Sequence, residues 1–391
     1  MFGSDFIVFS DDWGRHPFSC QHIMEQFLPH NRVLWVNTIG LRTPRLCLYD
    51  LKRSLGKLTS WILPKGEKGE LHPNLRIVAP FMVPYNTVAP VRAYNRFRVV
   101  HSVRAAMKAW GIENPVFLAT LPNAADYVGF FGESLVVYYC VDDFTLWPGM
   151  NQPKMVQGLE ADLLDKADLV IAVSDTLCAT RANGRTQTRL LTHGVDIEHF
   201  MLSGCTGSPP EAMRDLSGPV IGYYGLIDGR MDQNLIRSIL VAHPEWHLVL
   251  IGKSLVSLKE FSAYPNFLHI PAVPYTDLPC YAACFDVAIL PYHVDERTMS
   301  INPLKLKEYL ASGKPVVSTM LPEVCSLSAV VCTAGDAASF VREIELALQQ
   351  GQPEACAELL RGESWAAKAE LMSEWMVESM RTKRIARRTE V

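Results

Sequence analysis

The sequence predicts an α/β protein built from two doubly wound domains, each a parallel sheet flanked by helices. Three observations carry this. Apolar runs of strand length alternate with helix-length segments from end to end. The chain has 391 residues, room for two domains at about 100–200 residues each. Residues 201–218 (MLSGCTGSPPEAMRDLSG) combine Gly, Ser and Pro with no strong apolar period, and read as a linker.

In the first half, strands are expected at 6–10, 32–37, 76–79, 115–120, 135–140 and 169–173. Each is an almost unbroken apolar run, as a parallel strand covered on both faces requires. Helices are expected at 20–27, 91–110 and 155–166. The second half repeats the scheme, with strands at 220–224, 247–251, 268–270, 287–290 and 316–318 and helices around 232–242, 278–283, 304–312 and 337–349. The domains are drawn as 1–200 and 219–363. A last helix, 364–380, carries an apolar stripe including Trp365, Leu371 and Trp375 that needs a partner surface. Residues 364–391 are expected to pack back on the first domain and to end in a basic tail.

Composition narrows the function. Hydrophobic residues make up 49% and charged residues 20%, which excludes a disordered or fibrous chain. Lys and Arg number 37 against 41 Asp and Glu, so no bulk positive field points to nucleic acid. The apolar runs fall short of the roughly 18–20 residues that cross a bilayer. The N-terminus lacks a basic region, and Asp5, Asp11 and Asp12 interrupt its apolar stretch, unlike a signal peptide. A soluble, cytoplasmic protein is expected. The 10 cysteines are scattered without a CxxC, and Cys280 and Cys284 lack a second ligand pair, so no metal site is expected. No GxGxxG follows the first strand and no GxxxxGK[ST] occurs, which argues against a dehydrogenase and a P-loop NTPase.

Doubly wound sheets bind ligands at the carboxyl ends of their strands, so the loops there matter most. The first, 11–22, is DDWGRHPFSCQH, with His16 at its tip. Another follows Cys140 and contains Asp142 and Asp143. Adjacent carboxylates at a strand end point different ways, so at most one enters a cleft, and helix capping and general-base roles both stay open. In the second half the loops 222–230, 250–253 and 290–315 stand out. A helix starting near Pro303 offers free N–H groups and a positive dipole end, a seat for a diphosphate. Lys305 in its first turn adds a full charge. Glu308, about one turn on, could accept hydrogen bonds from vicinal ribose hydroxyls, each contributing roughly 1.5–3 kcal/mol. An ordinary surface Lys–Glu pair has the same spacing.

The ordered set ADLVIAVSDTL…LLTHGVDIEHF, PVIGYYGLID, LVLIGK and NPLKLKEYLASGKPVVST resembles GT-B glycosyltransferases of the family-4-like, glycosyltransferase group 1 type. The resemblance runs from about residue 6 to 365. It is nearest to enzymes of surface and capsular polysaccharide assembly, including teichuronic-acid-type transferases that also begin with a loop like WGRHPFSCQH. It implies a GT-B fold, two Rossmann-like domains facing across a cleft, and a nucleotide-sugar donor held mainly by the C-terminal domain. By position, Glu308 would bind the ribose hydroxyls, and Lys305 with the backbone at Leu304 would meet the diphosphate. Gly225 would let the chain approach the donor closely. The loop 272–275, with Val273, would lie near the nucleobase, and Lys253 would add a phosphate or base contact. Asn302 and Arg297 would complete the donor site. Asp142 or Asp143 and His16 would lie on the acceptor side as catalytic residues.

The chain departs from that pattern in places. Ser300 occupies the position of the first of two paired glutamates, a change that leans toward inversion and leaves retention open, since a retaining reaction can rely on the phosphate itself as base. The usual Arg and Lys after the first C-domain strand are replaced by LIDGR, ending in Arg230, and Arg230 and Arg297 are candidates to restore that charge. Transfer would need no cofactor beyond the donor and no metal. An inverting reaction would use Asp143 or Asp142 as base.

Local charge points to the acceptor. Residues 41–65 hold Arg42, Arg45, Lys52, Arg53, Lys57 and Lys65 around Trp61 and Ile62, with Asp50 alone opposing. Residues 91–110 hold Arg92, Arg96, Arg98, Arg104 and Lys108 with no acid. A basic amphipathic surface suits anionic lipid, and a lipid-linked saccharide acceptor at the inner membrane face follows as an expectation. Solvated helix faces have the same composition. A non-catalytic nucleotide-sugar-binding scaffold would bind donor without turnover, and a nucleotide-sugar epimerase would need no acceptor.

Overall fold

The computed structural model describes residues 1, 3–14, 18–38, 71–147, 150–201 and 209–389. The chain divides into two units, one of Met1–Thr192 with Lys368–Val391 and one of His193–Ala367. The division falls ahead of the segment read as a linker, and residues 193–200 go with the second unit. The cause is packing: Val195 and Phe200 are buried in the second unit's core, and the Val195 N–H donates to the Glu363 carbonyl at 2.8 Å.

In the first unit, β1 (Phe6–Ser10), β2 (Val33–Asn37), β3 (Leu75–Val78), β4 (Val116–Ala119), β5 (Leu135–Cys140), β6 (Leu169–Ala172) and β7 (Gln187–Leu190) form a 7-stranded sheet in the order β3-β2-β1-β4-β5-β6-β7. All neighbours are parallel. The helices include α1 (Ser19–Phe27), α2 (Ala89–Trp110), α3 (Pro153–Lys166) and α4 (Asp175–Arg181). β1 and β5 are buried along their whole length, as their unbroken apolar sequences require. The edge strand β7, QTRL, is exposed at both ends and has no apolar run to betray it.

The second unit holds β8 (Val220–Tyr224), β9 (His247–Ile251), β10 (Phe267–Ile270), β11 (Val287–Leu290), β12 (Val316–Thr319) and β13 (Cys332–Ala334), a 6-stranded sheet in the order β10-β9-β8-β11-β12-β13. It too is parallel throughout. Its helices include α5 (Gln233–Ala242), α6 (Leu304–Ala311) and α7 (Ala337–Gln350). α7 begins in a capping box between Asp336 and Ser339. In each sheet the strand order reverses at a central pair, β1/β4 and β8/β11. Crossovers leave such a pair in opposite directions, so the loops at its carboxyl end part and open a crevice.

The last helix, α8 (Trp365–Thr389), joins the first unit from Lys368 on. Trp365 is buried as expected, but its companions on the buried stripe are Ala369, Met372 and Met376, whereas Leu371 is 37% exposed. Spacings of four, three and four keep those side chains on one face, and Leu371 falls off it. The Arg189 guanidinium lies 5.9 Å from the centre of the Trp375 ring. No helix among the described residues is long and apolar enough to cross a membrane.

Helix α6 is fixed from behind. The Lys307 ammonium is buried, pairs with Glu363 and donates to the His193 carbonyl. Taking one partner from a buried pair strands the other, which typically costs 3–5 kcal/mol, whereas removing both is far milder. Glu363→Ala should therefore lower stability by about 3 kcal/mol. Lys307→Met with Glu363→Leu should lose less than Glu363→Ala alone, with urea unfolding as the measurement.

Candidate functional site

The described crevice residues of the second unit come from three loops and one helix start. β8 ends at Tyr224, and the chain turns at Gly225, whose φ is +133. Its N–H donates to the Ile251 carbonyl at 2.8 Å. Gly252 follows β9 with φ +138, and a Cβ on it would stand 2.0 Å from the Gly225 carbonyl oxygen. The two turns thus press backbone against backbone, which only glycine permits.

The space above Gly225 is filled by a side chain of this protein. A Cβ on Gly225 would meet Lys305 Cε at 1.9 Å and Nζ at 2.7 Å. The Lys305 ammonium also lies 5.6 Å from the centre of the Tyr223 ring. Gly225 thus permits the close approach of Lys305. The lysine comes from the first turn of α6, where Pro303 is the N-cap and no side chain caps the free N–H groups. A cationic side chain and a helix N-terminus converge there.

Two further cations flank this point. Arg230 grips the buried Asp228 in a fork, Nη2 to Oδ2 at 2.9 Å and Nε to Oδ1 at 3.0 Å. Burial alone would raise the Asp228 pKa, but the Arg230 bonds and the charges of Arg230 and Lys305 hold it below the usual carboxylate value. Arg297 pairs with Asp295, its Nε bonding Oδ2 at 3.0 Å, and its Nη1 would stand 3.8 Å from a Cβ on Gly229. The strip 228–232 is laced to the loop after β11, with the Asp232 N–H on the Pro291 carbonyl and the His293 N–H on the Arg230 carbonyl, both at 2.8 Å. Arg230 and Arg297 each have a carboxylate partner of their own, Asp228 and Asp295. Sequence reasoning named Arg230 and Arg297 as replacement charges but missed Asp228, because a carboxylate two residues from an arginine looks like any loop pair.

Glu308 is half-buried one turn beyond Lys305. The Tyr224 phenol lies beside it: burial, then the Glu308 carboxylate, raise its pKa well above the ordinary value. The remaining expected residues are more dispersed. Lys253 is exposed, and its carbonyl accepts from the Ile227 N–H at 3.0 Å. Val273 packs, partly buried, against the core. The Asn302 amide is engaged with Glu323 at 3.1 Å and the His193 N–H at 3.4 Å, so it anchors the loop to its own unit. Leu304 is the first residue of α6. Among the described residues no group of His, Cys, Asp and Glu is placed to hold a metal ion.

In the first unit, the two carboxylates after β5 are in structural use. Asp143 caps the short 3-10 turn Phe144–Leu146, accepting from the Thr145 N–H at 3.0 Å. It also pairs with Arg181 Nη2 at 3.0 Å, while Arg181 Nε reaches the buried Glu160 at 3.1 Å. Burial would raise the Asp143 pKa, but Thr145 and Arg181 hold it below the usual value, which makes it a weak base. Asp142 accepts from the Trp147 indole N–H and, at 2.8 Å, from the Asp143 N–H. His16 lies outside the described residues, as do 41–65.

The family model for glycosyl transferases group 1 matches residues 229–350, which lie within the second unit. A Bacillus subtilis (strain 168) protein named as a teichuronic acid biosynthesis glycosyltransferase is 28% identical over 181 residues, a match covering 44% of this chain and 46% of that protein. The chain thus matches under half the length of this curated relative. Among solved structures, Anabaena HepE in complex with UDP-glucose aligns with a TM-score of 0.58 at 12% identity, covering 99% of this chain and 100% of that one. Sucrose-phosphate synthase of Thermosynechococcus elongatus gives 0.61 at 15% identity, with 99% of each chain covered. A trehalose-6-phosphate protein of E. coli bound with UDP-2-fluoro glucose gives 0.65 at 11% identity, covering 95% of this chain and 99% of that one.

The Lys305–Gly225 packing makes a testable statement. Gly225→Ala must displace Lys305 and adopt a backbone conformation unfavourable to a side chain, which should cost about 1–3 kcal/mol. In a Lys305→Ala background the steric part should vanish, so the same change should cost less, as a double-mutant cycle by urea unfolding will read. With both sheets parallel throughout and the alignments spanning nearly the whole chain, this protein has the GT-B fold, and its second unit carries the glycosyl transferases group 1 match.

Proposed function

We propose that this protein is a glycosyltransferase that moves a sugar from a nucleoside diphosphate sugar, a uridine diphosphate sugar in first place, to a saccharide or lipid-linked saccharide acceptor in surface polysaccharide assembly. One observation carries the reading: Lys305, at the uncapped start of α6, lies over Gly225 with Glu308 one turn behind it. Positive charge and free N–H groups suit a diphosphate, and a carboxylate at that remove suits ribose hydroxyls. UDP-glucose and UDP-2-fluoro glucose in the structures named above, and the teichuronic acid relative, support the donor class and the pathway.

In this reading the acceptor oxygen forms a bond to the anomeric carbon as the bond from that carbon to the diphosphate oxygen breaks. The diphosphate departs with the electron pair, and the acceptor proton passes to a base or to the departing phosphate. Lys305 and the α6 N–H groups stabilise the growing charge without reorganising, an effect whose loss typically costs about 3–4 kcal/mol of barrier. The reading calls for no metal ion and no cofactor.

Nucleotide release from UDP-, GDP- and ADP-sugars, with and without a membrane lipid extract, tests this. Extract-dependent release of one nucleotide is expected, with Lys305→Ala slower by roughly 10²–10³ and Glu308→Ala defective in donor binding. Donor binding without release under any condition would favour a non-catalytic scaffold, and release of altered sugar without acceptor an epimerase.

We place the protein at the inner face of the cytoplasmic membrane, docked through α2. Phe97 is 65% and Tyr94 44% exposed, beside Arg96, whose guanidinium lies 5.9 Å from the Phe130 ring centre. Exposed aromatic side chains next to arginine suit an anionic interface. Arg92 is taken up by Asp126 at 2.6 Å and contributes less. Vesicle flotation should favour anionic over zwitterionic lipid, and Phe97→Ser with Arg96→Glu should abolish the preference. Equal flotation on both would remove the membrane from the reading.

A further inference from the structure

Helix α6 is reached through a long loop, 291–303, that leaves β11 and carries no helix or strand of its own. Ordering a backbone costs conformational entropy at every residue, so a loop of this length keeps one path only where side chains tether it. The tether just ahead of Pro303 is Asn302. Its Nδ2 donates to Glu323 Oε2 at 3.1 Å, and its Oδ1 accepts from the His193 N–H at 3.4 Å. The carbonyl of the same His193 accepts from the Lys307 ammonium. One stretch of backbone is thus joined to Asn302 before α6 and to Lys307 within it.

Glu323 supplies the fixed end of this chain of contacts. It stands in the short turn Pro322–Cys325 that follows β12, the strand paired with β11. The glutamate is only 6% exposed, and Leu321 and Val324 beside it are wholly buried, so the turn is seated in the core. A carboxylate taken out of water lowers stability unless it is hydrogen-bonded, and an apolar side chain fills such a place at less cost. A glutamate there calls for a role beyond packing.

Resting on the donor reading above, we propose that Glu323 is a positioning residue for the diphosphate seat. It accepts from the Asn302 amide, and Asn302 fixes the last step of the loop into Pro303. The α6 N–H groups, and Lys305 over Gly225, are thereby aimed before a nucleotide arrives. Glu323 itself touches no ligand. Groups set in advance bind with less ordering than groups that must be gathered.

The test compares nucleotides that differ by one phosphate. Calorimetric Kd values for UDP, UMP, GDP and GMP would be taken on the full chain, as wild type, Lys305→Ala, Asn302→Ala, Glu323→Ala and Glu323→Gln. Wild type should bind one diphosphate more tightly than its monophosphate, and Lys305→Ala should shrink that preference by roughly tenfold or more. Glu323→Ala and Asn302→Ala should each shrink it by roughly three- to tenfold, mainly by weakening the diphosphate. The double variant should do no more than either single one, since the two side chains act as a unit. Glu323→Gln keeps an acceptor oxygen in the same space and should restore most of the preference. Urea midpoints would accompany each variant; if Glu323→Ala does not fold, Asn302→Ala, at a half-buried position, carries the comparison. If Lys305→Ala lowers the preference but the Asn302 and Glu323 variants leave it whole, or weaken both nucleotides alike, the positioning role is wrong and the donor reading survives. If wild type prefers neither diphosphate, or binds no nucleotide, the donor reading fails and this inference with it.

Discussion

The contact between the Lys305 stem and the bare backbone of Gly225 ties the crevice of the second unit together. It brings a residue from α6 onto the turn after β8, so two elements that flank the reversal of strand order share one point in space. The turn can receive the lysine only because Gly225 has no side chain, and it can bend there only because φ is +133. Gly252 repeats the device one strand over, seating its backbone against the Gly225 carbonyl. Sequence, backbone strain and charge placement are therefore one constraint, and none of the three can change alone.

The charges around that contact are graded by their pairing. Arg230 is bound in a fork to Asp228 and Arg297 is bound to Asp295. Both arginines have most of their charge answered locally. Lys305 touches Asp228 only through its field. An incoming anion would meet a lysine whose charge is not consumed by a direct carboxylate bond and two arginines that shape the rim. Planar guanidinium groups suit the fixed, bidentate roles of Arg230 and Arg297, whereas Lys305 carries a compact ammonium on a flexible stem.

How much of this was legible beforehand follows from where each signal resides. The buried strands were readable because both faces of a parallel sheet demand apolar side chains, and VLWV, LVVYYC and HLVLI satisfy that locally. The edge strand QTRL and the three-residue CTA carry no such run, because an edge asks less of its side chains. Lys305 and Glu308 stood out by helical spacing, which an ordinary surface pair shares, so only the family resemblance gave them donor roles. Asp142 and Asp143 were found but left between two roles, and their contacts with Thr145, Arg181 and Trp147 could not be read from the sequence because they depend on the folded loop.

Helix α6 resolves a conflict that a ligand-facing helix must meet, exposing charge on one side while staying rigid. Successive residues turn by about 100°, so Lys305 and Lys307 point about 160° apart and Lys305 and Glu308 only about 60° apart. One lysine therefore faces the crevice with the glutamate beside it, and the other enters the unit's interior, where Glu363 and the His193 carbonyl hold it. Tyr309 adds a third tether through the Tyr224 backbone. With its rear and flank tied down, α6 cannot relax its N-terminus away from the cationic side chain it presents. A crevice that stabilises developing charge must keep its dipoles fixed while the charge appears. The buried Lys307 therefore holds in place the turn from which Lys305 reaches Gly225.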